Sequence, residues 1–166
     1  LLAQLAQAAI EQANVASGYQ ILPLRVPGIS AANVSNWEAL STAYQAVIPS
    51  IQGADVNAIN TLTQALNLDP QNPILHDQLG LLQHRLKNTD GAQRKFEDSI
   101  VTKGDYGPAY YHLAKLLIEN DPNNVAKIAE ALNGAKRLLP KEDPAISDID
   151  KNLETYNKKL EDLRTQ

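Results

Sequence analysis

Few side chains in this chain could do chemistry. The histidines are His76, His84 and His112, and there is no cysteine. His76 and His84 stand eight residues apart, which is roughly two helical turns and too far for one metal ion. His112 belongs to another predicted helix, and no His-Glu-x-x-His or similar ligand spacing occurs. The sequence therefore predicts no metal site and no cofactor.

Signatures of catalysis are also missing from the sequence. Scattered carboxylates such as Asp77 and Glu97 show no pairing that suggests acid–base catalysis. There is neither a Gly-rich phosphate loop nor a Gly-x-Ser-x-Gly motif, and the lack of cysteine excludes a thiol nucleophile. We predict that the chain is not an enzyme.

Composition narrows the classes of partner. Of 166 residues, 43% are hydrophobic and 20% are charged, which is typical of a folded protein. The formal net charge is −4 and no basic cluster occurs, which argues against binding nucleic acid. No run of 18 apolar residues exists, so this segment is predicted not to insert into a membrane.

The residues that must form the framework recur at a nearly constant interval. One set contains Trp37, Leu40, Ser41 and Tyr44, then His76, Leu79 and Gly80, then Tyr110, Leu113 and Ala114. A second set contains Ala58, Leu62, Ala65 and Pro70, then Ala92, Phe96, Ser99 and Gly104, then Ile128, Leu132, Ala135 and Pro140. Ala58 and Ala92 are 34 residues apart, and Ala92 and Ile128 are 36 apart. A period near 34 is typical of helix-turn-helix solenoids.

Capping residues predict where the helices begin. A capping box of Ser35 and Glu38 predicts that the first repeat helix starts at Ser35. The later starts are predicted at Asp55, at Asn72 followed by Pro73, at Gly107-Pro108 and at Asp121-Pro122.

The two ends of the chain differ from the repeats. Residues 1–15 are predicted to be helical, and 17–32 form an apolar linker interrupted by Gly and Pro. A last helix is predicted from Asp143-Pro144 to about Arg164. Its apolar stripe consists of Ile146, Ile149, Leu153, Tyr156, Leu160 and Leu163. The stripe either caps the helical stack or forms a coiled-coil seam to another chain.

The repeated residues resemble those of the tetratricopeptide (TPR) family, over about residues 34–140. The resemblance implies an all-α, TPR-like α-solenoid of about three repeats: 34–70, 71–104 and 105–140. Residues 1–33 precede them as an N-terminal helix and linker, and 141–166 form a C-terminal capping helix. TPR proteins are scaffolds, so the resemblance implies binding of a protein or peptide partner without catalysis.

A narrower resemblance covers Asn33 to Pro73, through an Asn-Trp-Glu-Ala-Leu helix start and an Asn-Leu-Asp-Pro-Gln-Asn-Pro turn. It is similar to TPR segments that trail bacterial membrane proteins of O-antigen ligase or polymerase type. It implies an extracytoplasmic domain tethered to a membrane protein, and the alternative location is cytoplasmic. The chain contains no Met, and we expect it to be a piece of a longer protein.

The TPR resemblance also implies which residues line the concave face. Side chains one, five and eight residues after the Trp37-equivalent position point into it. These are Glu38, Thr42 and Gln45, then Asp77, Leu81 and His84 with Arg85 beside them, then Tyr111, Lys115 and Ile118. Such a mixed surface suits a peptide better than a polyanion, or these are merely solvated helix faces. TPR domains that clamp chaperone C-termini use Lys and Asn where Glu38 and Thr42 stand, so that partner is not predicted.

Charge is unevenly distributed along the chain. Residues 1–53 carry only Glu11, Arg25 and Glu38 as charged residues. A charge-poor surface indicates either a neutral polar face or one that is covered by a partner. Self-association through residues 1–53 and the 144–164 helix is therefore an alternative function, that of a structural subunit.

Overall fold

The computed structural model describes residues 32–48, 50 and 52–165. Within these residues the regular secondary structure is entirely helical. The predicted N-terminal helix of residues 1–15 and nearly all of the linker lie outside the described residues. None of the described helices is both long enough and apolar enough to cross a membrane.

Seven helices occupy the described part of the chain. They are α1 (Val34–Val47), α2 (Ala54–Leu68), α3 (Pro73–Arg85), α4 (Thr89–Thr102), α5 (Gly107–Asn120), α6 (Val125–Leu138) and α7 (Ala145–Arg164). The predicted all-α class is confirmed for the described residues. The chain divides into two compact units, Leu1–Leu75 and His76–Gln166.

The first unit contains the α1–α2 helix pair. The buried residues of α1 include Trp37, Leu40 and Tyr44. Those of α2 include Ala58 and Leu62. The small residue Ser41 is fully buried, and its hydroxyl donates a hydrogen bond to the Ala58 carbonyl oxygen at 3.0 Å. Ser41 therefore joins the two helices through a polar contact where the repeat needs a small side chain.

The core of the second unit is built on α4, α5, α6 and α7. Its fully buried members include Phe96 on α4, Ala114 on α5 and Leu132 on α6. Ile128 is also fully buried, although it is larger than the small residue of the other repeats. These positions are used for packing, as the periodic pattern predicts.

Most of the apolar stripe of α7 packs against the core of the second unit. Ile149, Leu153 and Tyr156 are buried in the core of the second unit, and Ile146 and Leu160 pack against it. Only Leu163 of the stripe is largely exposed, at 58%. The helix therefore caps the helical stack of the second unit. A coiled-coil seam to another chain would need the same side chains, which already pack against the core.

At three predicted helix starts the observed N-cap differs from the predicted residue by two or three positions. α1 is capped by Asn33, whose side-chain oxygen accepts a hydrogen bond from Ser35 N at 2.9 Å, so Ser35 lies inside the first turn. Gly53 precedes α2 with φ of 81°, and Asp55 follows within the first turn. Asp121 ends α5 and accepts a hydrogen bond from Asn124 Nδ2 (3.2 Å), and α6 begins only at Val125.

Two other predicted starts are confirmed. Pro73 is the first residue of α3, and the Asn72 side chain accepts a hydrogen bond from Ile74 N at 3.1 Å. Gly107-Pro108 opens α5. Proline fits the first turn because its missing N–H would have no partner within the helix.

Two glycines allow aromatic rings to approach a neighbouring helix. A Cβ atom on Gly80 of α3 would lie 2.6 Å from Cε1 of Phe96 on α4. On α6, a Cβ atom on Gly134 would lie 2.4 Å from Cδ1 of Tyr110 on α5. Both contacts are shorter than van der Waals packing permits, so neither position can hold a larger residue without a shift of its partner.

We expect Gly80→Ala to lower the free energy of unfolding by about 1–3 kcal/mol, because its Cβ would overpack against Phe96. This loss outweighs the helix propensity of Ala, which by itself favours Ala over Gly by about 1 kcal/mol. Gly80→Leu should cost more. Gly104→Ala is the control, because its Cβ would meet only the Ile100 carbonyl oxygen, at 3.8 Å. Urea denaturation measures both, and a Gly80→Ala variant as stable as the parent would contradict this packing.

Candidate functional site

The predicted site residues of the first unit lie on one helix, α1. Thr42 is exposed, and its hydroxyl donates to the Glu38 carbonyl oxygen at 3.0 Å. Glu38 and Gln45 are half-buried. The Gln45 amide donates to the Ser41 hydroxyl oxygen at 3.1 Å, and that hydroxyl in turn donates to α2. The packing contact between α1 and α2 therefore also orients Gln45.

The predicted site residues of the second unit lie on α3 and α5. Two pairs of side chains join these helices. Nδ1 of His112 on α5 lies 2.8 Å from a carboxylate oxygen of Asp77 on α3. Nε2 of His84 on α3 lies 3.0 Å from a carboxylate oxygen of Glu119 on α5. Both pairs join residues that are 35 apart in sequence. Equal separations mean that α3 and α5 run parallel and side by side, offset by one repeat.

Asp77 differs from the other predicted site residues because it is buried, at 4% exposure. Its carboxylate accepts from His112, whose ring lies against Phe96 and Tyr111 with centroids 5.6 and 5.8 Å away. Burial and Asp77's negative charge raise the pKa of Tyr106. Asp77 therefore does not present its carboxylate to solvent, and its role in the described geometry is to fix α3 beside α5.

The remaining side chains form a surface that we name the α3–α5 face: Leu81, His84, Arg85, Tyr111, Lys115 and Ile118. Leu81 and Arg85 are exposed, and the other four are half-buried. Ile118 and Tyr111 also pack against the core of the second unit. Cross-helix contacts fix His84, Tyr111 and Lys115 in this face. Leu81, Arg85 and Ile118 are assigned to it by their positions along α3 and α5.

Asp148 on α7 holds the far side of this face. Its carboxylate accepts from the Tyr111 hydroxyl at 3.1 Å and pairs with Lys115 Nζ at 3.5 Å. The pKa of Tyr111 is raised mainly by burial. The hydrogen bond to Asp148 and the negative charge of that carboxylate add to the effect. Asp148 also accepts from the amide of Asn152 at 3.1 Å, which orients the carboxylate within α7.

Sequence reasoning missed His112, Glu119 and Asp148. The signal that could have found the first two is the repeat length itself, because each lies 35 residues after its partner on α3. Among the residues that the structure describes, no group of three or more His, Asp or Glu could hold a metal ion. The histidines each approach a carboxylate instead; His76 Nδ1 lies 3.9 Å from Asp98 on α4.

We expect Asp77→Ala to lower the free energy of unfolding by about 1–3 kcal/mol, because it leaves the His112 imidazole without its buried acceptor. Asp77→Asn keeps an acceptor and should cost less. Asp150→Ala is the matched control, since it removes an exposed carboxylate that pairs with Lys136 and should cost less than about 1 kcal/mol. Equal losses for Asp77→Ala and Asp150→Ala in urea would contradict the structural role of the buried pair.

Tyr111→Phe tests the contact with Asp148 through its pH dependence. The folded state raises the pKa of Tyr111, so the stability from its protonated hydroxyl is fully present below the unfolded pKa of about 10 and is lost as pH rises through the folded pKa. We expect Tyr111→Phe to be less stable than the parent at pH 8, by about 0.5–1.5 kcal/mol. Above pH 10 the difference should shrink or reverse.

Thermal melting at both pH values measures this difference. Desolvation also raises the pKa of Tyr44 and of the half-buried Tyr106, and the negative charge of Asp77 adds to the effect at Tyr106. Their contribution is common to the parent and the variant and cancels in the comparison. A stability difference that stays constant from pH 8 to above pH 10 would show that the Tyr111 hydroxyl does not interact with the carboxylate as described.

Comparison with models of protein families found no match, and neither did comparison with curated proteins. Solved structures do match. The first TPR of Spaghetti (RPAP3), bound to the HSP90 peptide SRMEEVD, matches with a TM-score of 0.62 and 17% identity, over 80% of this chain and 98% of that one. The TPR2B domain of yeast Sti1, in a complex with Hsp70, matches with a TM-score of 0.62 and 14% identity, over 78% and 99%.

A thermophilic TPR protein of Thermus thermophilus matches with a TM-score of 0.61 and 20% identity, over 92% of this chain and 73% of that one. Identities this low show the fold alone. The matched share exceeds three quarters of this chain in all three comparisons, so the likeness is not confined to one helix pair. The chain therefore has a TPR-like fold built from helix-turn-helix repeats.

Proposed function

We propose that the chain is a non-catalytic scaffold that binds a peptide or protein segment on the faces of its first repeat helices. The observation that carries this proposal is the α3–α5 face, where parallel helices present an exposed leucine, an aromatic side chain and oriented polar groups. Cross-helix pairs to Asp77, Glu119 and Asp148 hold these side chains in place before any partner arrives. A surface ordered in advance loses less conformational entropy on binding.

Two of the similar structures support a peptide partner, because the first TPR of Spaghetti (RPAP3) is bound to an HSP90 peptide and the Sti1 domain is in a complex with Hsp70. In the first unit, the repeat spacing assigns Glu38, Thr42 and Gln45 to the equivalent positions of α1. We propose that they serve the same purpose for a partner of that unit.

Two features are proposed from the sequence alone. One is a location outside the cytoplasm, tethered to a membrane protein, with a role as an accessory domain of a surface-polysaccharide enzyme. The gene sequence upstream of the codon for Leu1 tests it, and the absence of encoded membrane spans there would contradict it. The other is self-association through residues 1–53 and the 144–164 helix, which light scattering during gel filtration tests; a strict monomer at high concentration would contradict it.

The binding function is tested by selecting peptides from a random 16-residue display library against the full chain. We expect enriched peptides, and we expect their binding to shift the amide NMR signals of α3 and α5 more than those of α4 and α6. A selection that enriches nothing would contradict the function. So would peptides whose shifts map to α4 and α6.

A further inference from the structure

The last helix runs parallel to α5 and extends beyond its end. Near the start of α7, Asp148 contacts Tyr111 and Lys115 on α5. Three turns later, Lys159 lies in the same cleft as Pro122, which follows the end of α5. The order of these contacts gives the parallel direction. Since α7 has 20 residues and α5 has 14, the last turns of α7 lie beside the α5–α6 turn.

A cleft of about 260 Å³ lies between the end of α7 and this turn. We name it the α7 cleft, and its lining residues are Pro122, Asn123, Val125, Lys159, Asp162 and Leu163. Leu163 is 58% exposed, whereas most of the α7 stripe packs against the core. Val125, on the α6 side of the cleft, is buried. The cleft therefore has an apolar wall on each side, and one of them remains in contact with water.

The α7 cleft also contains one cation and one anion. Lys159 Nζ lies over the Tyr156 ring, 4.5 Å from its centroid. Asp162 accepts a hydrogen bond from the Thr165 hydroxyl through its carbonyl oxygen, at 3.0 Å. Among the residues that the structure describes, neither Lys159 nor Asp162 forms an ion pair. The cleft is therefore complementary to a segment that brings an apolar side chain together with one charge of each sign.

The end of α7 is itself a segment of this kind. Lys159 and Asp162 are three residues apart, so their side chains are neighbours on the helix surface. When two copies meet about a two-fold axis, each residue meets its counterpart reciprocally. Lys159 of each copy then faces Asp162 of the other, and Leu163 of each copy leaves water. The cleft and the segment that it fits are thus the same surface.

We propose that two copies of this chain associate through the α7 cleft, with Leu163 covered in each cleft and Lys159 of each copy paired with Asp162 of the other. This inference rests on the self-association proposed above and names its surface. It does not depend on peptide binding at the α3–α5 face. The contact is small, so the dimer is weak and forms as the protein concentration rises.

Sedimentation equilibrium of the full chain, from about 10 µM to about 1 mM, measures this association. We expect Lys159→Glu and Asp162→Lys each to weaken dimerisation about tenfold or more, because two-fold symmetry places like charges together at both contacts. A mixture of the two variants should form a heterodimer about as strong as the parent dimer, since opposite charges then face each other again at both contacts.

Lys151→Glu and Glu154→Lys are the matched controls, because they reverse the same charges at exposed positions of α7 outside the cleft. Both should leave dimerisation unchanged. Leu163→Ser should weaken it about tenfold or more, since the lost apolar contact also counts twice. Thermal melting at low concentration checks that every variant is folded.

A dimer that neither charge variant weakens would assign association to another surface, residues 1–53 included, and would overturn the inference while self-association stands. A mixture of the two charge variants that stays monomeric would do the same. Display peptides that shift the amide signals of Asn123 and Leu163 would assign the cleft to a peptide and also overturn the inference. A parent that is monomeric at the highest concentration overturns the inference and the self-association together, and it leaves peptide binding at the α3–α5 face unaffected.

Discussion

Close approach of paired helices is the constraint on which the rest of this protein depends. Phe96 reaches α3 only because Gly80 has no Cβ, and Tyr110 reaches α6 only because of Gly134. In the first unit the small side chain of Ser41 allows the same approach and adds a hydrogen bond to α2. The apolar residues of each pair are buried because the backbones come this close.

Side-by-side placement of α3 and α5 within the second unit then decides what the candidate site can do. Once α3 and α5 are parallel at a repeat's offset, Asp77 meets His112 and His84 meets Glu119. Groups that looked like isolated titratable residues become structural pairs. The α3–α5 face that remains presents the exposed side chain of Leu81 beside these pairs.

Most of the fold could be predicted from the sequence, and the errors have local physical causes. Periodicity predicted the repeat helices and the stripe of α7, because burial of a helix face leaves a regular apolar pattern. Helix starts were less certain, since several residues near each start can cap a helix. For α1, both Asn33 and Ser35 could be the N-cap, and for α2 both Gly53 and Asp55 could. The backbone geometry of the preceding turn decides that Asn33 and Gly53 take this position.

By itself, the sequence determined the TPR-like class, the packing positions such as Gly80 and Phe96, and which positions of α3 and α5 could form a site, because these depend on spacing along one helix. Only the tertiary structure decided that Asp77 is buried, that His112, Glu119 and Asp148 belong to the site, and that the stripe of α7 packs against the core. Those facts depend on which side chains from different repeats meet. Partners 35 residues apart are brought within hydrogen-bonding distance only when the helices lie beside each other.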